Sequence, residues 1–510
     1  MSKKTKIPEW VGSTRGMCRL VALLAILVAT CRVWAADAGA SAEVPALIPA
    51  PREITLTGGT CASAAKPKVE RVAGIPAEGY ELSVKPDGVT IRASDKAGAF
   101  YALQTLEQLR SSGTTPLPCC EIKDSPRFKW RGVQLDDSRH FMGKEQVLRT
   151  IDEMTKYKFN VFHWHLTDDP SWRIEVPGYP ELLDYGDQCR MSKDQKPMGA
   201  SPREGHRYYT ADEIREVVAY AAKRHVTIVP EVEFPGHFFA AVCAYPEFAC
   251  DPESVKKNRL PMVCGIQRDV MCVGNPDAVK FVEAALDTVC DLFPSKVIHI
   301  GGDECPRTAW EKCPKCRALM EREGLSDVGD IQTWLTRHVA EYLAKKGRRA
   351  IGWDEMLDAK EGALPVSTMG MRWCPTLERT VRAAKAGHEI VNCPHAFCYL
   401  DFKQGLEGDT HRYMGKRHIP LKTVYLFDPL AGMPEEVRGK IVGGQCCNWT
   451  EYTASRDELE WKMWPRALAM AEVLWTYPDP KKRDFADFKR RAAIHRDAMV
   501  ARGINAAPIK

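Results

Sequence analysis

The sequence predicts an α/β chain whose main body is a (β/α)8 TIM-type barrel, preceded by a small α/β domain. From Phe128 onward, short apolar strands alternate with longer amphipathic helices, the pattern of βα units around a parallel sheet. Eight such strands fall between residues 126 and 480, which suits one barrel with inserted loops. An open doubly wound sheet is the alternative, but no GxGxxG or Walker-type loop follows any strand.

The chain has 510 residues, 45% hydrophobic and 27% charged, which argues against a mostly disordered, collagen-like or multi-spanning membrane protein. Its net charge of +5 is concentrated at the start. Residues 1–35 hold Lys3, Lys4, Lys6, Arg15, Arg19 and Arg32 against Glu9 alone, so the remainder is neutral and exerts no global pull on nucleic acid. Basic residues up to Arg19, an apolar run from Leu20 to Ala29 and Val33-Trp34-Ala35 have the layout of a cleaved secretory signal peptide. The expectation is an exported protein, periplasmic or extracellular, with no membrane span after cleavage of residues 1–35.

An Ala/Pro-rich linker, 36–48, leads into the small domain, 49–122. There Tyr80-Glu-Leu-Ser-Val and Val89-Thr-Ile-Arg-Ala flank a Pro-Asp-Gly turn, a hairpin signal. Phe100, Leu103, Leu106 and Leu109 then recur at helical spacing, and a Pro-rich break (Pro116, Pro118) with Ser125-Pro126 closes the unit. Barrel strands are predicted at 130–135, 161–165, 226–232, 297–300, 350–353, 368–372, 389–392 and 442–448, with helices such as 144–157, 211–224, 277–291, 330–346 and 376–387 between them. Residues 481–510 read as a helical tail packed on the barrel.

In such a barrel the active site forms at the C-terminal ends of the strands. Those ends carry Asp136 to His140, His165 to Asp169, Glu231 to His237, Gly301-Gly302-Asp303-Glu304, Trp353-Asp354-Glu355 and Trp449-Thr-Glu451. Carboxylates and tryptophans at so many strand ends suit a sugar, whose C–H face stacks on indole and whose hydroxyls bond to carboxylates and Arg. Asp303 and Glu304 are the sharpest pair. As neighbours they point in different directions and cannot straddle a glycosidic bond as nucleophile and acid, but they could divide the work if the substrate supplies its own nucleophile.

Cysteines form a second constellation. Once the leader is removed 17 of the 19 remain, an odd number that excludes a fully paired disulfide framework. Cys305 and Cys313-Pro-Lys-Cys316, with Cys264 and Cys272 upstream, admit two readings: a structural zinc on Cys272, Cys305, Cys313 and Cys316, or a disulfide with buried free thiols. His163 and His165, alternating on the second strand, read as hydrogen-bonding residues of the barrel interior rather than metal ligands.

His299-Ile-Gly-Gly-Asp-Glu304 resembles the signature of the β-N-acetylhexosaminidases of glycoside hydrolase family 20. Further resemblances follow in order: Gly98 to Leu106 in the small domain, then Leu135–Phe141, Phe159–Asp169, Pro230–His237, Gly352–Glu355, Trp449-Thr-Glu451 and Trp464-Pro-Arg through Trp475. The resemblance implies a retaining exo-β-N-acetylhexosaminidase that removes terminal GlcNAc or GalNAc from glycans without a catalytic cofactor. In it Glu304 is the general acid/base, and Asp303 orients the 2-acetamido group and stabilises an oxazolinium ion. Tyr399 bonds the same acetamide, Trp353 and Trp449 wall the pocket, and Arg139, Asp401 and Glu451 bind hydroxyls. Asp168 and His237 hold the acid/base in place. One position departs: where relatives carry Trp-Arg at the end of strand six, this chain has Met371-Arg372, with Trp373 one residue later. Either a thioether forms part of the wall or a bulge re-aims Trp373. A silent sugar-binding barrel and a glycosidase using Glu355 as nucleophile are the competing readings.

Overall fold

Eight parallel strands close into a barrel, in the order of their appearance along the chain. They are Trp130–Asp136, Val161–His165, Thr227–Glu231, Val297–His299, Arg349–Trp353, Met369–Arg372, Ile390–Asn392 and Ile441–Asn448. The last pairs with the first from Gly443↔Trp130 to Asn448↔Leu135, which completes the ring. The structure, a computed structural model, describes residues 44–62, 66–111, 116–185, 189–191, 207–258, 262–263 and 265–510. The leader at 1–35, most of the 36–48 linker and Cys264 lie outside the described residues. Pro45–Lys510 form one compact unit.

The crossover helices follow local sequence signals. Ala211–Ala222 starts with a capping box in which the Thr210 side chain accepts from Glu213 N and the Glu213 carboxylate accepts from Thr210 N. Pro276–Leu292 has Asn275 as its cap and Pro276 in its first turn, where a missing N–H costs nothing. Ile214, Val217, Phe281, Val282, Leu286 and Val289 on these helices are buried against the barrel. Helix Phe485–Ala501 lies in the C-terminal tail, where Arg491 forms a buried pair with Glu472 at 2.6 Å and His495 stacks edge-on to Tyr157.

The preceding domain is a five-stranded mixed sheet in the order Glu53–Cys61, Leu117–Asp124, Tyr80–Lys85, Gly88–Ala93, Lys68–Arg71, with helix Lys96–Ser111 against it. The hairpin pairs Tyr80↔Ala93 to Lys85↔Gly88. Leu117–Asp124, read from its prolines as a break, is an inner strand of this sheet. Pro118 is tolerated because it sits where the pairing with Glu53–Cys61 shifts register, so its absent N–H interrupts a ladder already irregular.

The sheet meets the barrel beside the N-terminal ends of the first two strands. Trp475 Nε1 and Lys158 Nζ both donate to Asp124 Oδ2 at 2.9 Å, and Lys158 also reaches Tyr80 Oη at 2.8 Å. Arg131 lies over the Trp475 ring at 4.9 Å and pairs with Glu78 at 3.0 Å. A buried ion pair with this many hydrogen bonds is satisfied, and removing one partner would strand a charge. This junction supports the fold from the face opposite the strand ends that carry the site.

Candidate active site

A cavity of about 180 Å³ opens at the C-terminal ends of the strands, lined by residues that include Arg139, His237, Asp303, Glu304, Trp373, Tyr399, Asp401, Trp449 and Glu451. Larger grooves lie outside this site, among them one near Tyr179 and Arg215 and one near Arg149 and Asp457. Of the ten candidate residues, Asp168 and Trp353 are absent from the cavity surface. Asp168 is buried behind Arg139 and His237, and the fully buried Trp353 packs under Trp449 with ring centroids 5.6 Å apart. Trp353 is therefore floor rather than wall.

Beneath the pocket the barrel interior is polar, and Glu231 is its hub. His165 Nδ1 lies 2.5 Å from Glu231 Oε2, and His299 Nδ1 and the Trp353 indole N–H reach Oε1 at 2.7 and 2.8 Å. Burial would raise the Glu231 pKa, but His299, His165 and His163 outweigh it and hold the carboxylate well below its usual range. The two histidines of strand two thus serve Glu231. Below them Gln445 Nε2 contacts His163 Nδ1 at 3.0 Å and Met371 Sδ at 3.2 Å.

Two glycines set the position of the carboxylate pair. After His299 the chain turns through Gly301 (φ 63°) and Gly302 (φ 96°), left-handed conformations that only glycine adopts cheaply. A Cβ on Gly301 would fall 1.5 Å from Glu233 Oε2, so no other residue fits. The turn leaves the Asp303 side chain 13% exposed and that of Glu304 37% exposed. Asp303 Oδ1 is buried with no hydrogen-bond partner. Burial, opposed by His237 and reinforced by Glu231, pushes the Asp303 pKa up to about 7.

His237 faces both carboxylates, with Nε2 3.5 Å from Glu304 Oε2 and 3.7 Å from Asp303 Oδ2. Its Nδ1 is 3.1 Å from Asp169 and 3.3 Å from Asp168. Burial disfavours the imidazolium, but these two carboxylates win and raise the His237 pKa well above normal. Asp168 pairs with Arg139 at 2.7 Å, and Arg139 lies over the Trp449 ring at 5.1 Å.

The loop after strand seven supplies Tyr399 and Asp401. Tyr399 bridges to Cys447 of strand eight, and Leu400 N donates to Cys447 O at 2.8 Å, so residues 399 and 401 fall on the same side. Both carboxylate oxygens of Asp401 are buried and unpartnered, and burial with the neighbouring Glu451 pushes its pKa up to about 8. The loop is clamped from behind by the fully buried Arg466, whose guanidinium donates to the carbonyls of Leu400, Phe402 and Ile419.

At strand six, Met371 is fully buried in the barrel interior and takes no part in the wall. Trp373 lines the cavity, its ring 6.2 Å from that of Tyr399 and near-parallel to it, with its indole N–H on Glu355 at 2.9 Å. Strands six and seven pair without a register shift, so Trp373 gains the wall because the strand ends at Arg372, not through a bulge. Sequence reasoning also passed over His395, Phe402 and Met414 in the lining. His395 and Phe402 sit on either side of Tyr399 and Asp401, the one available signal.

The cysteine set differs from expectation at one position. Cys250, Cys272, Cys313 and Cys316 cluster, their sulfurs all within 4.8 Å of one another, and could hold a metal ion. Cys305 is not in this group. It follows Glu304 directly and packs against Gly236, where an added Cβ would come 3.1 Å from that of Cys305.

Residues 128–478 match the family description "Glycosyl hydrolase family 20, catalytic domain", and residues 61–125 match "Glycosyl hydrolase family 20, domain 2". The chain belongs to glycoside hydrolase family 20. Among its family 20 relatives, the beta-hexosaminidase of Porphyromonas gingivalis is 37% identical over 81% of this chain and 52% of its own length. This chain thus spans about half of that protein. The beta-hexosaminidase of Akkermansia muciniphila is 33% identical over 89% of this chain and 90% of its own. A crystal structure of a beta-N-acetylhexosaminidase superposes with a TM-score of 0.80 at 31% identity, covering 90% of this chain and 96% of that one. No helix among the described residues is long and apolar enough to cross a membrane.

Proposed function

We propose that this family 20 chain is a retaining exo-β-N-acetylhexosaminidase that removes terminal GlcNAc or GalNAc from glycans, with the substrate's own acetamide as nucleophile. The observation that carries this reading is Asp303 Oδ1, a buried and unpartnered acceptor directly beside the more exposed Glu304. An acetamide N–H in the pocket would satisfy that oxygen, and the adjacent carbonyl oxygen would then be poised to attack C1. As the C1–O bond to the leaving group breaks, Glu304 gives its proton to the departing oxygen. The acetamide oxygen closes a ring on C1, and Asp303 as carboxylate offsets the positive charge of the oxazolinium. Water, deprotonated by Glu304, opens that ring from the face the leaving group vacated, so the configuration is retained.

Other features support the same reading. Trp373, Trp449 and Tyr399 form apolar walls for one pyranose, and Arg139, Asp401 and Glu451 offer polar groups to its hydroxyls. The cavity is smaller than the about 300–1,000 Å³ of drug-sized sites, which suits a single terminal sugar. Glu355, the alternative nucleophile, has its pKa raised to about 8 by burial and by Asp303, so it is protonated at neutral pH and a poor nucleophile. Nothing in this chemistry calls for a cofactor.

Aryl β-N-acetylglucosaminide and aryl β-glucoside separate the readings. Turnover of the acetamido sugar alone is the expected result. Equal turnover of both would replace substrate assistance with a carboxylate nucleophile, and turnover of no sugar would leave a binding protein. We also propose export: the mature N-terminus should begin just after Ala35, which N-terminal sequencing of the secreted form tests.

A further inference from the structure

We propose that Cys250, Cys272, Cys313 and Cys316 bind one zinc ion as a structural tetrathiolate that ties together the loops after barrel strands three and four. A Zn–S bond of about 2.3 Å with tetrahedral angles places the sulfurs about 3.8 Å apart along every edge. The sulfurs here are separated by 3.7 Å (Cys250–Cys316), 3.6 Å (Cys272–Cys313) and 3.7 Å (Cys272–Cys316). A disulfide needs about 2.05 Å, and two disulfides would split the four sulfurs into two tight pairs rather than even edges.

The backbone presents these sulfurs from two rigid pieces. Ala249 and Met271 form an antiparallel bridge, which holds together the two segments that carry Cys250 and Cys272. Cys272 N donates to Phe248 O at 2.7 Å and Asn275 N to Cys272 O at 2.9 Å, so this side of the site is a closed turn. From the other direction, Cys313 caps helix Pro314–Glu323 and Cys316 lies in its first turn. There the helix N-terminus favours thiolates. Gly274, beyond Cys272, packs closely against the Lys315–Cys316 peptide. Gly274 must be glycine for this approach, since a Cβ would fall 2.3 Å from the Lys315 carbonyl.

The site would act at a distance from the sugar. Cys250 and Cys272 lie on the excursion that follows His237, and Cys313 and Cys316 on the one that follows Glu304. Trp310 Nε1 donates to Met271 O at 2.9 Å, so the two excursions also touch beside the cluster. A metal here would hold the His237 and Glu304 loops in register without touching substrate. It does not depend on the glycosidase reading.

Elemental analysis of the full-length protein should find about one zinc per chain, and zinc K-edge absorption should show four sulfur neighbours at about 2.3 Å. Cobalt substitution should produce the strong visible and thiolate-to-metal charge-transfer bands of a tetrahedral tetrathiolate. The set is checked by Cys250→Ser, which should lose the metal or its four-sulfur shell, and by Cys305→Ser, which should keep both. Should the Cys250 variant not fold, the wild-type absorption and the Cys305 variant still decide. Four reduced thiols without zinc, a disulfide between any two of them, or loss of metal on replacing Cys305 would each overturn the proposal.

Discussion

His237 Nε2 stands 3.5 Å from Glu304 Oε2 while its Nδ1 is tied to Asp168 and Asp169, so the proposed acid/base faces an imidazolium held cationic from behind. A neighbouring cation favours the ionised form of a carboxyl. Replacing His237 with Asn removes that cation, and the pKa of Glu304 should rise. The alkaline limb of the kcat profile should therefore move to higher pH. The lost positioning should also lower kcat by about 10²-fold. An unshifted alkaline limb would remove His237 from the proton-transfer chain.

Asp303 and Glu304 should fail in different ways. Glu304→Gln removes the proton donor, so natural glycosides should suffer far more than aryl substrates whose leaving groups need no proton. Asp303→Asn should slow both classes, by about 10²-fold or more, because the positive intermediate loses its counter-charge. A thiazoline mimic of that intermediate should bind the Asp303 variant far less well than wild type. Trapping a covalent sugar ester on any carboxylate would end the substrate-assisted reading.

The raised pKa of Asp303, about 7, makes a pH prediction for the free enzyme. In the proposed mechanism its anion is the working form, and below that pH the proton returns. With wild type, kcat/KM should fall as pH drops below about 7. The residual activity of Asp303→Asn should show no such limb, which a matched pair of pH–rate profiles would reveal.

Asp401 should trade stability for binding. Its carboxyl titrates near 8 in the fold because of burial and Glu451, against about 3.9 in an unfolded chain. Below about pH 4 both states hold the proton and the group costs nothing. As pH rises toward 8 the unfolded chain releases the proton and the native state does not, so wild-type stability declines across that window. Asp401→Asn should melt several degrees higher than wild type at pH 8 and no higher at pH 4, while losing affinity for the sugar. Paired calorimetric scans at the two pH values test the sign.

Trp373 and Met371 should be separable. Trp373→Ala removes a stacking wall and should raise KM about 10-fold or more. Met371→Leu is a near-isosteric change in the barrel interior, costing less than about 1.5 kcal/mol of stability and leaving kcat/KM unchanged. An effect of Met371→Leu on KM would return the thioether to the pocket.

Period and punctuation made the barrel legible. All eight strands lie within one residue of where alternation put them, and the five helices that helical spacing predicts are found within two residues of theirs, whereas shorter helices such as Leu421–Tyr425 carry too little pattern to read. Leu117–Asp124 was hidden because two prolines dominate its local signal, whereas its strand character comes from partners more than thirty residues away. In the site, strand-end carboxylates could be read because the fold fixes which end is functional. Trp353 could not be placed, since floor and wall differ only in side-chain direction. Cys250 was missed for a related reason. It joins Cys272 through a single bridge between Ala249 and Met271, and no spacing rule encodes such a bridge.

The seam between the first and last barrel strands bears on when the pocket can exist. Thr450 N donates to Asp136 Oδ2 and His140 N to Thr450 Oγ1, each at 3.0 Å, so Arg139 and Glu451 are brought to one cavity from positions 312 residues apart. Closure over such a separation is a late and slow step of folding. Nascent chains lacking the final strand have Asp303 and Glu304 but no completed ring around them. The proposed sugar site therefore requires the eighth strand, and nicking or truncation near residue 445 should silence the protein as fully as removing the carboxylates themselves.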